Sequence, residues 1–327
     1  MKKVLFLRTK GVGENSIEEL AYTFLKFIPD LKLEVFPYQA NTVLGIIKNV
    51  IFAIKHQGDI NHFMCINNVY AAPFIKGKII VTHHDMGTLF NTKNKILYFI
   101  KRFLIYPLSL RFVDRIVCIT NFTREETLVE FPFLKNKIQV VYNSYNSLIT
   151  HTKYIYNENC PTILHIGTAE RKNLSKVIPA LEGIPCKLHI IGKLSQMQIQ
   201  LLEKYKINYV QECDVPFERI VELYQECDLV TFPSSYEGFG MPVIEAQATG
   251  RPVITTHAAA LSEVAGDAAC FVDPTDVDSI RRGILRVISD KVYRNNLVSN
   301  GLINSKRFST EKMIDAYRIL YAELLGK

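Results

Sequence analysis

One stretch constrains this chain more than any other: Pro233-Ser234-Ser235-Tyr236-Glu237-Gly238-Phe239-Gly240-Met241-Pro242-Val243-Ile244-Glu245-Ala246. Before it runs Asp228-Leu229-Val230-Thr231-Phe232, short and apolar, the pattern of a buried parallel strand. After it, Pro242 suits the first turn of a helix, where its missing N–H costs nothing. The glycines therefore occupy a strand-to-helix turn. Backbone N–H groups at such a turn, aimed by a helix N-terminus, form an anion site. Glu237 lies in the turn and Glu245 in the helix, with seven residues between them. A carboxylate beside an anion site repels phosphate unless it points elsewhere, and sugar hydroxyls are its usual neutral partners.

Length and composition narrow the classes. A chain of 327 residues implies two domains, and 48% hydrophobic residues supply cores for both. Seven scattered cysteines, without a Cys-x-x-Cys pair, argue against a disulfide framework or zinc site and for a reducing compartment. The opening apolar run Val4–Leu7 is too short for a signal peptide, and no run reaches the ~18 residues of a spanning helix. These features point to a cytoplasmic protein. The net charge of +7 admits anionic lipid, anionic substrate or nucleic acid. Without zinc-finger spacing, an RNP-like aromatic motif or an arginine-rich tract, nucleic acid ranks last.

Several other segments carry chemistry. Lys3–Arg8 reads as a first strand, followed by Gly11-Val12-Gly13-Glu14-Asn15-Ser16 and an amphipathic helix. This is a Rossmann-like opening in which Ser16 stands where a dinucleotide fingerprint has its third glycine. The loop is either part of a ligand site or a plain tight turn. The strand Lys78–Thr82 ends in His83-His84-Asp85, where parallel sheets collect functional groups, and Asp85 could orient the His84 ring. Adjacent strand residues face opposite ways, so the histidines do not form a metal pair. Residues 93–112 mix bulky apolar and basic residues without an acid. They suit an anionic bilayer surface or, equally, a core helix with snorkelling cations. Asn121 or Thr123 is a candidate N-cap for the helix that follows. Gly167-Thr168-Ala169-Glu170-Arg171-Lys172-Asn173 follows a strand and precedes a helix. Two cations at a helix start oppose its dipole, a cost that makes sense if they serve an anion. Asp276-Val277-Asp278 reads as a helix cap rather than a metal motif.

The pattern Ser-x-x-Glu-Gly-Phe-Gly-x-Pro-x-x-Glu-Ala, with Thr249-Gly250-Arg251-Pro252-Val253-Ile254 and Glu263–Ala269 behind it, resembles the retaining GT-B glycosyltransferases of family 4, glycosyl transferases group 1. The resemblance is strong over about residues 160–325 and weaker before them. It implies a GT-B fold: two Rossmann-like α/β domains, each a parallel sheet flanked by helices, facing across a cleft. The N-terminal, acceptor-side domain would span 1–147, with a C-terminal helix at about 310–327 packing back on it. The nucleotide-sugar domain would span 148–309. Relatives often carry Asn-Gly where this chain has Asn143-Ser144, a departure in the local backbone.

The resemblance further implies transfer of a hexosyl or deoxyhexosyl unit from a GDP- or UDP-linked sugar to a glycan or lipid-linked glycan, in bacterial cell-surface polysaccharide or lipopolysaccharide assembly. Arg171, Lys172 and the Gly238, Phe239 and Gly240 loop would take the diphosphate, with Gly167 and Gly13 lining the donor site. Glu245 would hold the ribose, Glu237 a hydroxyl of the donor sugar, and His84 would approach donor sugar or acceptor. The leaving phosphate would deprotonate the acceptor, with no enzyme nucleophile and no metal or other cofactor. The expected location is cytoplasmic, or peripheral on the cytoplasmic face of the membrane through residues 93–112. Three other classes compete: a nucleotide-sugar epimerase of the same fold, a catalytically silent subunit of a glycan-assembly complex, and a dinucleotide oxidoreductase, which Ser16 disfavours.

Overall fold

The computed structural model describes residues 1–9, 16–40, 42–90 and 95–326. The chain divides into two compact units, residues 1–144 with 310–327, and residues 145–309.

Unit 1 opens with β1 (Lys3–Leu7), α1 (Ser16–Phe27), β2 (Leu31–Val35), α2 (Val43–His56), β3 (Ile60–Phe63) and β4 (Lys78–His83). There follow α3 (Gly87–Phe90), α4 (Lys95–Ile100), α5 (Tyr106–Leu110), β5 (Arg115–Cys118), α6 (Asn121–Glu130) and β6 (Ile138–Val140). The six strands pair in parallel in the order β2-β1-β3-β4-β5-β6. Sheets covered on both faces need near-continuous apolar strands, and Val4, Leu5, Phe6 and Leu7 are all buried. On one face Phe6, Phe63, Val81 and Ile116 pack with α2, α5 and the 3-10 segment Ile66–Phe74. On the other, Leu5, Ile60 and Ile80 pack with α1 and with residues Met313–Tyr321.

Unit 2 runs β7 (Thr162–Ile166), α7 (Leu174–Ala180), β8 (Lys187–Ile191), α8 (Gln196–Lys204), β9 (Tyr209–Glu212), α9 (Phe217–Glu226) and β10 (Leu229–Thr231). It continues through α10 (Met241–Thr249), β11 (Val253–Thr255), α11 (Leu261–Ala265), β12 (Cys270–Phe271), α12 (Val277–Ser289) and α13 (Lys291–Ser305). Its sheet is also parallel, in the order β12-β11-β10-β7-β8-β9. The last helix, α14 (Thr310–Leu324), belongs to unit 1. It is pinned there by polar contacts under the sheet. The Tyr321 hydroxyl lies 2.7 Å from His62 Nδ1, and the Tyr317 hydroxyl 2.9 Å from Thr82 Oγ1.

Local expectations fare differently. The N-cap of α6 is Thr120, whose hydroxyl accepts from the Thr123 N–H at 3.0 Å, rather than Asn121 or Thr123. The helix simply starts one residue earlier than its acidic turn suggests. As expected, Asp276 caps α12, accepting from the Asp278 N–H at 2.9 Å. Neither Asn143 nor Ser144 takes a positive φ, so the missing glycine requires no strained backbone there. Residues 95–110 are helical but not uniformly so, because α4 and α5 are joined by a π turn over Lys101–Ile105. Pro107 has no N–H to give the preceding turn, which is a known cause of such widening.

Candidate active site

In unit 2 the strand order reverses between β7 and β10, neighbours in the sheet whose successors run to opposite edges. Open parallel sheets bind ligands outside the carboxyl ends of strands at such a point. The two loops that leave here are Gly167–Asn173 and Phe232–Gly240. Gly167 has φ +94° and a Cβ there would meet Lys172 Cγ at 3.1 Å, so only glycine gives the lysine stem its path. Glu170–Lys172 forms a 3-10 turn, and Asn173, with φ +59°, turns the chain into α7. The Asn173 side chain donates to the Pro233 carbonyl at 2.8 Å. The Arg171 carbonyl accepts from the Ser235 N–H at 2.8 Å and the Ser234 hydroxyl at 2.9 Å. These bonds tie the two loops together. Gly240, φ +100°, enters α10, and a Cβ would come within 2.5 Å of Leu261 Cδ2. Pro242 stands in the first turn of α10.

The loops converge on Glu237. Its Oε1 accepts from Arg171 Nη1 at 2.7 Å, Lys172 Nζ at 2.6 Å and the Ser234 hydroxyl at 2.8 Å. Its Oε2 takes no hydrogen bond from the described residues. The Lys172 ammonium also stands 4.2 Å from the centroid of the buried Phe232 ring, a cation–π seat. Burial draws Lys172 below the usual lysine value, Glu237 opposes that shift, and Arg171 adds to it. Below it, His165 is fully buried beside Thr231, and burial, with help from Lys172, pushes the imidazole down to about 3. The histidine therefore stays neutral, and the cluster keeps two cations against one carboxylate.

Glu245 sits elsewhere in charge and in packing. It lies on the buried face of α10, and its Oε2 accepts from the Tyr224 hydroxyl at 2.7 Å. Its Oε1 takes no hydrogen bond from the described residues. Among the described residues no cation offsets its burial, which pushes the carboxyl up to about 7 while the tyrosine bond pulls the other way. Burial, then the Glu245 charge, raises the Tyr224 phenol well above its ordinary value. Each carboxylate is thus held by one oxygen and leaves the other to accept from elsewhere.

The remaining predicted residues fall in different places. Gly238, Phe239 and Gly240 are buried, and the Phe239 ring packs edge-on against Phe308 at 5.6 Å. His84 belongs to unit 1, one residue past the end of β4. Its Nε2 lies 2.8 Å from the Met64 carbonyl, and burial lowers its basicity. Asp85 does not orient this ring. It accepts from the Gly87 N–H at 2.8 Å, leading into α3, so the Met64 carbonyl takes the role expected of it. Gly13 lies outside the described residues. The sequence reading missed Tyr224, Ser234 and Phe232. Tyr224 carried a legible signal, since a phenol on the apolar face of a helix demands an acceptor when buried.

Comparison with known proteins follows the same division. Residues 149–302 match the family model described as glycosyl transferases group 1. The chain is 28% identical over 282 residues to the O-antigen chain mannosyltransferase B of Escherichia coli, covering 74% of this chain and 71% of that one. It is 30% identical over 161 residues to the serotype-specific mannosyltransferase WbdA of the same species, covering 45% of this chain and only 20% of that longer one. The Anabaena protein Alr3699/HepE, solved with UDP and glucose, superposes with a TM-score of 0.82 at 16% identity over 99% of this chain and all of that one. Two parallel six-stranded sheets flanked by helices, with such neighbours, make this a GT-B fold.

Proposed function

From a chain that belongs, through residues 149–302, to the glycosyl transferases group 1 family, we propose a retaining hexosyltransferase. It moves a sugar, mannosyl foremost, from a nucleoside diphosphate donor to a glycan or lipid-linked glycan acceptor. The pathway is assembly of a cell-surface polysaccharide such as an O-antigen, in keeping with the mannosyltransferase relatives. One observation carries this reading: Glu237 and Glu245 each spend one oxygen on the protein, and Arg171 and Lys172 meet on the first of them. Such a site offers fixed positive charge beside two half-used acceptors, which suits a diphosphate flanked by two sets of hydroxyls.

Breaking the anomeric C–O bond sends its electron pair to the leaving diphosphate. Arg171, Lys172 and the Gly238–Gly240 amides stabilise that developing charge more than the ground state, which is what accelerates the step. The acceptor oxygen forms the new bond on the same face, and its proton passes to the leaving phosphate. Glu245 takes the ribose hydroxyls through Oε1, and Glu237 a donor-sugar hydroxyl through Oε2. Gly167 keeps the Lys172 stem in place. His84, whose basicity burial lowers, serves donor sugar or acceptor. No metal has a step here, because the two fixed cations carry the charge. Where the acceptor is lipid-linked, residues 93–112 meet an anionic membrane surface.

The test is thermal unfolding against GDP, UDP, dTDP, CMP and NAD(H). A nucleotide present at about one hundred times its Kd adds about 2.7 kcal/mol of stability. Stabilisation by GDP, and a smaller one by UDP, is the expected result. Stabilisation by NAD(H) alone would overturn the reading.

A further inference from the structure

Helix α2 turns an apolar stripe to solvent. Val43, Leu44, Ile47, Ile51 and Ile54 are between 40 and 75% exposed. At roughly 100° per residue they fall within one arc about 100° wide. The opposite face is the buried one, and it carries Gly45, Asn49 and Ala53. Asn49 Nδ2 donates to the Tyr38 carbonyl at 2.7 Å and to the Tyr70 hydroxyl at 2.9 Å, which locks the rotation of the helix. The helix is therefore apolar on more than its core side: Ile46, Val50 and Phe52 pack half-buried against the core, while the stripe faces solvent. Lys48 and Lys55, both exposed, border the stripe.

A second apolar surface lies on the same layer. Phe99, Phe103, Leu104, Leu108 and Phe112 are each more than half exposed. Ala53 of α2, Tyr70 of the 3-10 segment and Tyr106 and Leu110 of α5 share one core cluster, so α2 and the 95–112 segment cover the same face of the sheet. Phe74, exposed, lies on the 3-10 segment that contacts both α2 and α5. The charge on this layer has one sign. Between Phe36 and Val113 the only acids are Asp59 and Asp85, and neither lies on α2, α4 or α5. Asp59 accepts from the Lys2 N–H at 2.7 Å, and Asp85 from Gly87. Among flanking acids, Glu130 is held by Arg102 at 2.7 Å, and Glu34 by Lys32 and His56, each at 2.7 Å. Lys76, Lys95 and Arg111 add exposed cations.

We propose that α2 and the 95–112 segment form one face that lies on an anionic lipid bilayer. The α2 stripe enters the boundary between headgroups and acyl chains, and Lys48 and Lys55 reach the lipid phosphates. This rests on the reading that residues 93–112 meet a membrane, and adds α2 as a second contact of its own. A bilayer fits better than a second copy of the chain, because two such faces would bring like charges together in a symmetric pair.

The experiment is flotation of the whole chain with vesicles of phosphatidylcholine, with and without about a quarter phosphatidylglycerol. Three double variants are compared with the unsubstituted chain: Ile47→Ser with Ile51→Ser, Lys48→Glu with Lys55→Glu, and Phe103→Ser with Leu104→Ser. All six side chains are on the surface, so unchanged thermal unfolding verifies the fold. The expected result is binding to the anionic vesicles only. The isoleucine pair should lower it about tenfold, and each lysine reversal about fivefold. Loss in the Phe103 pair alone, with α2 variants floating as before, would overturn the α2 contact and leave the 93–112 reading standing. No flotation of any form would overturn both. Equal binding to neutral vesicles, or a dimer that the isoleucine pair splits on size-exclusion chromatography, would also sink the proposal.

Discussion

Glu237 and Glu245 lie on one loop and helix, yet their surroundings are opposites. Glu237 sits among two cations and a hydroxyl, all on a single oxygen. Glu245 sits inside α10 with one phenol and, among the described residues, no cation, and burial lifts its carboxyl to about 7. The first gathers positive charge around one oxygen. The second changes protonation state near pH 7. Two identical side chains a few residues apart thus have different surroundings because their neighbours come from different parts of the chain. Arg171 and Lys172 follow β7, whereas Tyr224 comes from α9.

The largest expected effect would sharpen the Glu237 side. Lys172→Ala should lower turnover about 10²- to 10³-fold, as loss of a charge-stabilising donor does. Steady-state kinetics with saturating donor measures this, and wild-type turnover would break the assignment. Glu237→Gln should destabilise the fold by about 3 kcal/mol, because it leaves the largely buried Lys172 ammonium without its counter-ion. Urea unfolding reads that figure, and an unchanged midpoint would mean that Lys172 finds another partner.

On the Glu245 side the signature is pH. The folded state holds this proton up to about pH 7, the unfolded chain only to the ordinary value of 4.5. The native state therefore binds more protons in that window, and stability falls as pH rises from about 4.5 to 7. The loss amounts to about 3 kcal/mol. Glu245→Gln should flatten the slope. Donor affinity should run the other way, rising through about pH 7 as the carboxylate becomes a pure acceptor for ribose hydroxyls. The smallest effect is Tyr224→Phe. It should weaken nucleotide binding about fivefold and move the affinity midpoint to higher pH, since the tyrosine bond lowers the carboxyl. Calorimetric titration across pH checks both, and a Tyr224→Phe variant with an unmoved midpoint would detach the tyrosine from the site.

Much of this was readable before the structure. Apolar runs such as Val4–Leu7 and Leu229–Phe232 announce buried parallel strands because a strand covered on both faces has no place for polar residues. Pro242 after Gly240 marks a helix start because proline's missing donor is harmless only there. Asp276 reads as a cap because the exposed N–H groups behind it need an acceptor. What could not be read were pairings across distance. Asp85 looks like the partner of His84 by adjacency, but the Met64 carbonyl, brought alongside by β3, takes the ring nitrogen. Thr120 rather than Asn121 caps α6, since caps depend on where the strand before them ends.

The sequence by itself determined the doubly wound architecture and the acids and bases at the strand ends, because periodicity, glycines and prolines act locally. Only the tertiary structure decided that Arg171 and Lys172 share one oxygen of Glu237, that Tyr224 rather than a cation meets Glu245, and that α2 shows its isoleucines to solvent. Each of these depends on which strands become neighbours and which helix face the core accepts. Those are long-range outcomes of packing, and no local pattern of residues encodes them.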